Sequence, residues 1–188
     1  MKRIILVGMP RSGKTTLGRA LAEKLKIPFY DSDTVLTQKF SAPVADIFTK
    51  LGETTFRLEE AACIAELLSR DESFVLATGG GSVQSEKVRL LLQREAFVLW
   101  VHAPVEVLAE RMWAEIKSGK QLPKFLYAKE DSVLPQEKNK HLEKIIQSLL
   151  PIYIFREEFY RSLASYKIEN TAAIEDACTE IFSLFERL

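Results

Sequence analysis

A short glycine-containing segment near the start of the chain limits the possible folds more than any other part of the sequence. Gly8 to Thr15 fits the pattern G-x-x-x-x-G-K-[ST]. It directly follows the apolar run Ile4 to Val7 and opens a helical pattern over residues 14–25, which is the strand–loop–helix context that a phosphate-binding loop needs. The alternative is an ordinary glycine-rich turn between a strand and a helix. The context favours the phosphate-binding loop.

Each part of this loop has an expected role in holding a nucleotide. Its glycines let the backbone approach phosphate closely, and the backbone N–H groups and the positive end of the following helix then bind the oxygens. Lys14 is expected to reach the β and γ phosphates of ATP, and Thr15 to offer its hydroxyl to Mg²⁺. The predicted nucleotide-binding residues are Gly8, Met9, Pro10, Arg11, Ser12, Gly13, Lys14, Thr15 and Thr16.

The rest of the chain alternates apolar runs with helical patterns, which predicts an α/β fold with a parallel sheet covered by helices on both faces. Residues 4–7, 74–77 and 97–101 are continuously apolar, as strands buried on both faces are. The shorter runs 28–30 and 166–168 predict further strands nearer an edge. Helices are predicted at 14–25, 43–51, 53–70, 85–94, 104–118, 137–150, 151–164 and 173–187.

Composition excludes several classes of function. The 188 residues, 47% of them hydrophobic, are enough for one core, so a single domain over residues 1–188 is expected. Lys and Arg (26) balance Asp and Glu (26), which argues against a nucleic-acid or membrane partner. Cys63 and Cys178 match no metal or redox spacing, which suits a reducing compartment. A cytoplasmic monomer acting on a small molecule is predicted.

The reaction must be inferred from residues outside the loop, because many enzyme classes share it. A guanine-binding N-K-x-D segment is missing, since Asn139 and Lys140 are followed by His141 and Leu142. The apolar run 97–101 leads into His102 rather than an aspartate. The carboxylate for Mg²⁺ is therefore expected from elsewhere in the chain.

Two aspartates follow the second predicted strand, at the edge where open α/β sheets bind ligands. Asp31 and Asp33 are two residues apart, and in an extended segment such residues point the same way. One carboxylate, expected to be Asp31, would hold Mg²⁺, and the other would accept a hydrogen bond from an attacking hydroxyl. The alternative for Asp33 is to cap a helix that begins near Thr34.

Four segments, in order along the first half of the chain, resemble the shikimate kinases: 8–15, 29–33, 51–59 and 75–83. The resemblance implies ATP-dependent phosphorylation of the 3-hydroxyl of shikimate. It implies a P-loop fold like that of nucleoside monophosphate kinases, with five parallel strands in the order 2-3-1-4-5. It also implies an acceptor-binding region at 33–60 and a mobile lid at 118–135.

The same resemblance implies roles for individual residues. Asp33 would bind the substrate hydroxyls and Arg57 the carboxylate, for which a planar guanidinium is well suited. The alternative for Arg57 is a surface ion pair with Glu53. Gly79, Gly80 and Gly81 would allow close approach to the ring, a flexible loop being the alternative.

Two arginines in the second half of the chain complete the expected site. Arg156 is assigned as a second contact for the carboxylate, and the alternative is a solvated arginine near Glu157 and Glu158. Arg111 matches the family arginine that lies over adenine. Its alternative is an exposed arginine paired with Glu115.

Two positions depart from the family pattern. Arg11 stands where the family usually has glycine in the phosphate loop, and the predicted lid contains no arginine. Lys124, next to Pro123, is predicted to supply the catalytic charge of the lid in preference to Lys120, the alternative being that both are solvated lysines. Two other functions stay open: a gluconate-type small-molecule kinase, and a nucleotide-binding module with impaired turnover.

Overall fold

The computed structural model describes residues 3–95, 97–118, 138–170 and 174–186. The strands are β1 (Arg3–Val7), β2 (Phe29–Asp31), β3 (Phe74–Ala77), β4 (Val98–His102) and β5 (Tyr166–Glu169). The helices are α1 (Lys14–Leu25), α2 (Ser32–Phe40), α3 (Val44–Leu68), α4 (Glu86–Leu92), α5 (Val105–Lys117), α6 (Lys138–Leu163) and α7 (Ile174–Glu186).

The five strands form one parallel sheet in the order β2-β3-β1-β4-β5, which confirms the predicted topology. Alternate residues of β1 face opposite sides of the sheet, as in any strand. Ile5 and Val7 belong to one buried apolar cluster, and Ile4 and Leu6 belong to another. Both faces are therefore covered, which explains why the central strands are continuously apolar.

Two helix boundaries show where local sequence is a good guide and where it is not. Gly52 interrupts α3 with φ 73° and ψ 164°, so the predicted break between residues 51 and 53 is confirmed. The predicted break before Pro151 is wrong, because α6 runs through that proline. Proline in a helix removes one backbone N–H donor, yet α6 continues through it to Leu163.

Residues 119–135 of the expected lid, with Lys120 and Lys124, lie outside the described residues. Within the four described ranges, no helix is long and apolar enough to cross a membrane.

Candidate active site

A cavity of about 1630 Å³ opens at the carboxyl ends of the strands, between the phosphate loop and helices α3, α5 and α6. It collects most of the residues that the sequence singled out, from segments far apart in the chain. Gly8, Met9 and Ser12 of the loop are buried and are not part of the cavity wall. The predicted residues that line the cavity are Pro10, Arg11, Gly13, Lys14, Thr15, Thr16, Asp31, Asp33, Arg57, Gly79, Gly80, Gly81, Arg111 and Arg156.

Lys14 is the first residue of α1 and lies inside the phosphate loop. Its Nζ donates to the carbonyl oxygens of Gly8 and Met9, each at 2.9 Å. Burial lowers the pKa of Lys14 to about 8, although the charges of Asp33 and Asp31 oppose this effect. The loop thus holds a buried cation at the place where phosphate oxygens are expected.

Residues from the far end of the chain hold this loop in position. The Asn170 Nδ2 donates to the carbonyl oxygen of Ser12 at 2.6 Å. Arg111 donates to the carbonyl oxygens of Asn170 (2.8 Å) and Arg11 (3.0 Å). The predicted alternative of an Arg111–Glu115 pair is wrong, because Glu115 pairs with Arg11. Sequence reasoning missed Asn170, whose partner is 158 residues away, so no local pattern marks it.

The two aspartates take different structural roles. Asp31 is the N-cap of α2, where its Oδ1 accepts from the backbone N–H groups of Asp33 (3.0 Å) and Thr34 (3.3 Å). Asp33 lies in the first turn of that helix. The expectation that both belong to an extended segment is wrong, and so is the capping alternative for Asp33. Both side chains nevertheless line the cavity.

Asp33 has the properties of a proton acceptor. Burial raises the pKa of its carboxyl to about 6, and the charges of Asp31 and Glu60 add to the effect, while Lys14 and Arg57 oppose it. A carboxylate with a pKa close to neutrality is ionised at neutral pH and still accepts a proton readily.

Arg57 is held by a carboxylate that sequence reasoning missed. Its Nη1 lies 2.8 Å from the Glu60 Oε2, whereas the anticipated partner Glu53 lies at 3.8 Å. Glu60 is only 1% exposed, and its Oε1 accepts from the Ser82 hydroxyl at 2.7 Å. Glu60 follows Arg57 by three residues, and residues at this spacing share a face of a helix. The sequence spacing could therefore have predicted this ion pair.

The three-glycine segment after β3 packs against the rest of the cavity wall. The Gly80 carbonyl oxygen accepts from the Arg156 Nη1 (3.1 Å) and the Tyr160 hydroxyl (2.6 Å). A Cβ atom on Gly80 would lie 2.5 Å from the Cδ of Pro10, so only glycine lets this segment contact the phosphate loop. Arg156 is 7% exposed, and its alternative as a solvated arginine is wrong.

The oxygen atoms beside the phosphate loop suit a magnesium ion bound together with phosphate. In the described ranges, no group of three or more His, Cys, Asp or Glu side chains is placed to hold one. The Thr15 hydroxyl donates to the Asp31 Oδ2 at 2.7 Å. Two adjacent oxygen ligands beside a phosphate loop fit Mg²⁺, which usually keeps several waters and phosphate oxygens as ligands.

Comparisons with known proteins agree with this geometry. A sequence model of the family described as "Shikimate kinase" matches residues 10–186. A shikimate kinase from Acinetobacter baumannii (strain AYE) is 36% identical over 185 residues, covering 98% of this chain and 92% of that protein.

Solved structures are also similar. The structure described as shikimate kinase from Acinetobacter baumannii in complex with shikimate has a TM-score of 0.76 and 34% identity, covering 100% of this chain and 94% of that one. A gluconokinase from Sinorhizobium meliloti has a TM-score of 0.58 and 20% identity, over 99% of this chain and 92% of that one. At that identity the second likeness concerns the fold alone.

Proposed function

The chain belongs to the shikimate kinase family, and on that premise we propose that the cavity binds ATP and shikimate and transfers the γ-phosphate of ATP to the 3-hydroxyl of shikimate. The observation that carries the proposal is the position of Asp33. Its carboxyl interacts electrostatically with Lys14 of the phosphate loop and with Arg57, and all three residues line the same cavity.

The acceptor is proposed to bind within the region 33–60 and its neighbours on the cavity wall. Asp33 accepts the proton of the attacking hydroxyl. Arg57 and Arg156 bind the carboxylate, since guanidinium and carboxylate match in shape and charge. The segment 79–81 presents backbone rather than side chains to the ring. Support comes from the shared cavity wall and from the limited exposure of the two arginines, 18% for the Arg57 side chain and 7% for Arg156.

ATP is the phosphate donor, and we propose that its β and γ phosphates lie on the loop, with Lys14 beside them. Thr15 and Asp31 would hold Mg²⁺, whose charge neutralises phosphate oxygens when the ion is bound. Arg111 is proposed to face the adenine, because this residue lines the cavity and two carbonyl oxygens fix the orientation of its guanidinium. Lys124 remains a prediction from the sequence.

Two competing functions make different predictions for one experiment. ADP release from ATP and Mg²⁺ is measured with shikimate, quinate, gluconate and nucleoside monophosphates as acceptors. We expect the highest kcat/KM with shikimate. Preference for gluconate would support a gluconate-type kinase, and ATP binding without turnover on any acceptor would support a non-catalytic nucleotide-binding module.

The state of the protein in the cell is also a proposal. We propose a cytoplasmic monomer. The balance of 26 basic and 26 acidic residues supports only the absence of nucleic-acid or membrane partners. Light scattering on the purified chain measures its mass in solution, and a mass of two or more chains would contradict the monomer.

A further inference from the structure

The phosphate loop contains one residue whose backbone conformation is unfavourable. Arg11 has φ 66°, and the other loop positions with positive φ are the glycines Gly8 (149°) and Gly13 (96°). A left-handed conformation costs a side-chain-bearing residue about 1–2 kcal/mol. Glycine would adopt it without that cost. Strain retained in a ligand-binding loop indicates a use for the side chain.

The Arg11 side chain lies on the cavity wall beside the expected phosphate position. Its Nε pairs with the Glu115 Oε2 of α5, and about a third of the side chain (35%) is exposed. Burial is the main cause of the low pKa of Lys14, and the charge of Arg11 lowers that pKa further. Arg11 and Lys14 also line the same cavity, so Arg11 adds a second positive charge to the wall that holds Lys14.

We propose that the Arg11 guanidinium is a catalytic group that binds the terminal phosphates of the nucleotide. Glu115 keeps the guanidinium in position before the nucleotide binds, and the phosphates then displace the Glu115 carboxylate. This rests on the proposed function, in which ATP occupies the loop. A guanidinium has five N–H donors, so one contact with Glu115 does not saturate it. A polyphosphate carries more charge than a carboxylate and competes with it for the guanidinium.

During transfer, Arg11 would act by charge alone. The bond from the γ-phosphorus to the bridging oxygen of ADP breaks, the bond to the acceptor oxygen forms, and the acceptor proton passes to Asp33. Arg11 stays protonated throughout and neutralises charge on the transferring group. Arg111 is less suited to this role, since it donates to the backbone carbonyls of Asn170 and Arg11.

The test compares Arg11→Gly and Glu115→Gln with the unaltered chain. ATP, ADP and AMP binding are measured by calorimetry without acceptor, and kcat is measured with shikimate. Arg11→Gly is expected to weaken ATP binding and lower kcat by about tenfold or more, with a smaller effect on ADP and none on AMP. Glu115→Gln is expected to strengthen ATP binding, because the competing carboxylate is gone.

Lys26→Gly is the matched control. Lys26 also has positive φ (55°) and lies exposed at the other end of α1, so the change removes the same charge and the same strain outside the cavity. It should leave nucleotide binding and kcat unchanged. Addition of guanidinium chloride at low concentration should restore part of the activity of Arg11→Gly.

Three results would overturn the proposal: unchanged ATP affinity and kcat in Arg11→Gly, equal weakening of ATP, ADP and AMP binding in that variant, or weaker ATP binding in Glu115→Gln. The last two would assign the Arg11–Glu115 pair to loop geometry alone. A chain that binds ATP with the expected differences but phosphorylates no shikimate would refute the proposed function and leave the role of Arg11 in phosphate binding supported.

Discussion

Replacement of Asp33 by asparagine should stabilise the folded chain while it removes turnover. Burial raises the pKa of the Asp33 carboxyl from 3.8 to about 6, so the folded state binds this proton more tightly than the unfolded state does. The difference of about 2 pH units corresponds to about 3 kcal/mol, an upper limit for a partly exposed group. Above about pH 6 the ionised carboxylate lowers the free energy of unfolding by this full amount. Below about pH 4 the carboxyl is protonated in both states and does not lower it. Asparagine carries no charge at any pH.

The assay is urea unfolding of the unaltered chain and Asp33→Asn over this pH range. We expect the variant to be more stable by about 1–3 kcal/mol at neutral pH and the difference to shrink as the pH falls toward 4. Its kcat should collapse with ATP affinity maintained, since the amide cannot accept the proton. Asp46→Asn is the control, because Asp46 also lies in the first turn of a helix, α3, but is exposed. A less stable Asp33→Asn, or a difference independent of pH, would refute the reasoning.

The structure supports three further predictions. Lys14→Met should abolish turnover and keep the fold. Because burial lowers the pKa of Lys14 to about 8, the ATP affinity of the unaltered chain should fall as the pH rises through that value. Calorimetry measures the ATP affinity as well as the unfolding of the variant. Arg57→Ala and Arg156→Ala should each raise KM for shikimate by the equivalent of about 1.5–3 kcal/mol. An equal penalty with an acceptor that lacks the carboxylate would rule out the carboxylate contact. Glu60→Gln removes a charge that raises the pKa of Asp33, so the acid limb of the pH–rate profile should move to lower pH, and an unmoved limb would contradict the coupling.

The sequence alone determined the features that depend on short stretches of chain. The phosphate loop is recognisable because a buried strand, glycines and a helix start follow one another within residues 4–25. The strand order came from the family resemblance, and continuous apolar runs marked the central strands. Gly52 marked a helix break because its missing side chain permits φ 73°. These features are local, so their signals survive without knowledge of the fold.

Only the tertiary structure decided which polar and charged side chains of distant segments contact each other. Asn170 reaches Ser12 across 158 residues, and Glu115 on α5 pairs with Arg11 rather than with its helix neighbour Arg111. Asp31 caps α2 and Asp33 lies in its first turn, because this helix begins one residue after Asp31. Sequence spacing predicts which side chains share a face of one element, but the partners and pKa values of buried charges depend on how separate elements pack, because desolvation and Coulomb interactions act through space.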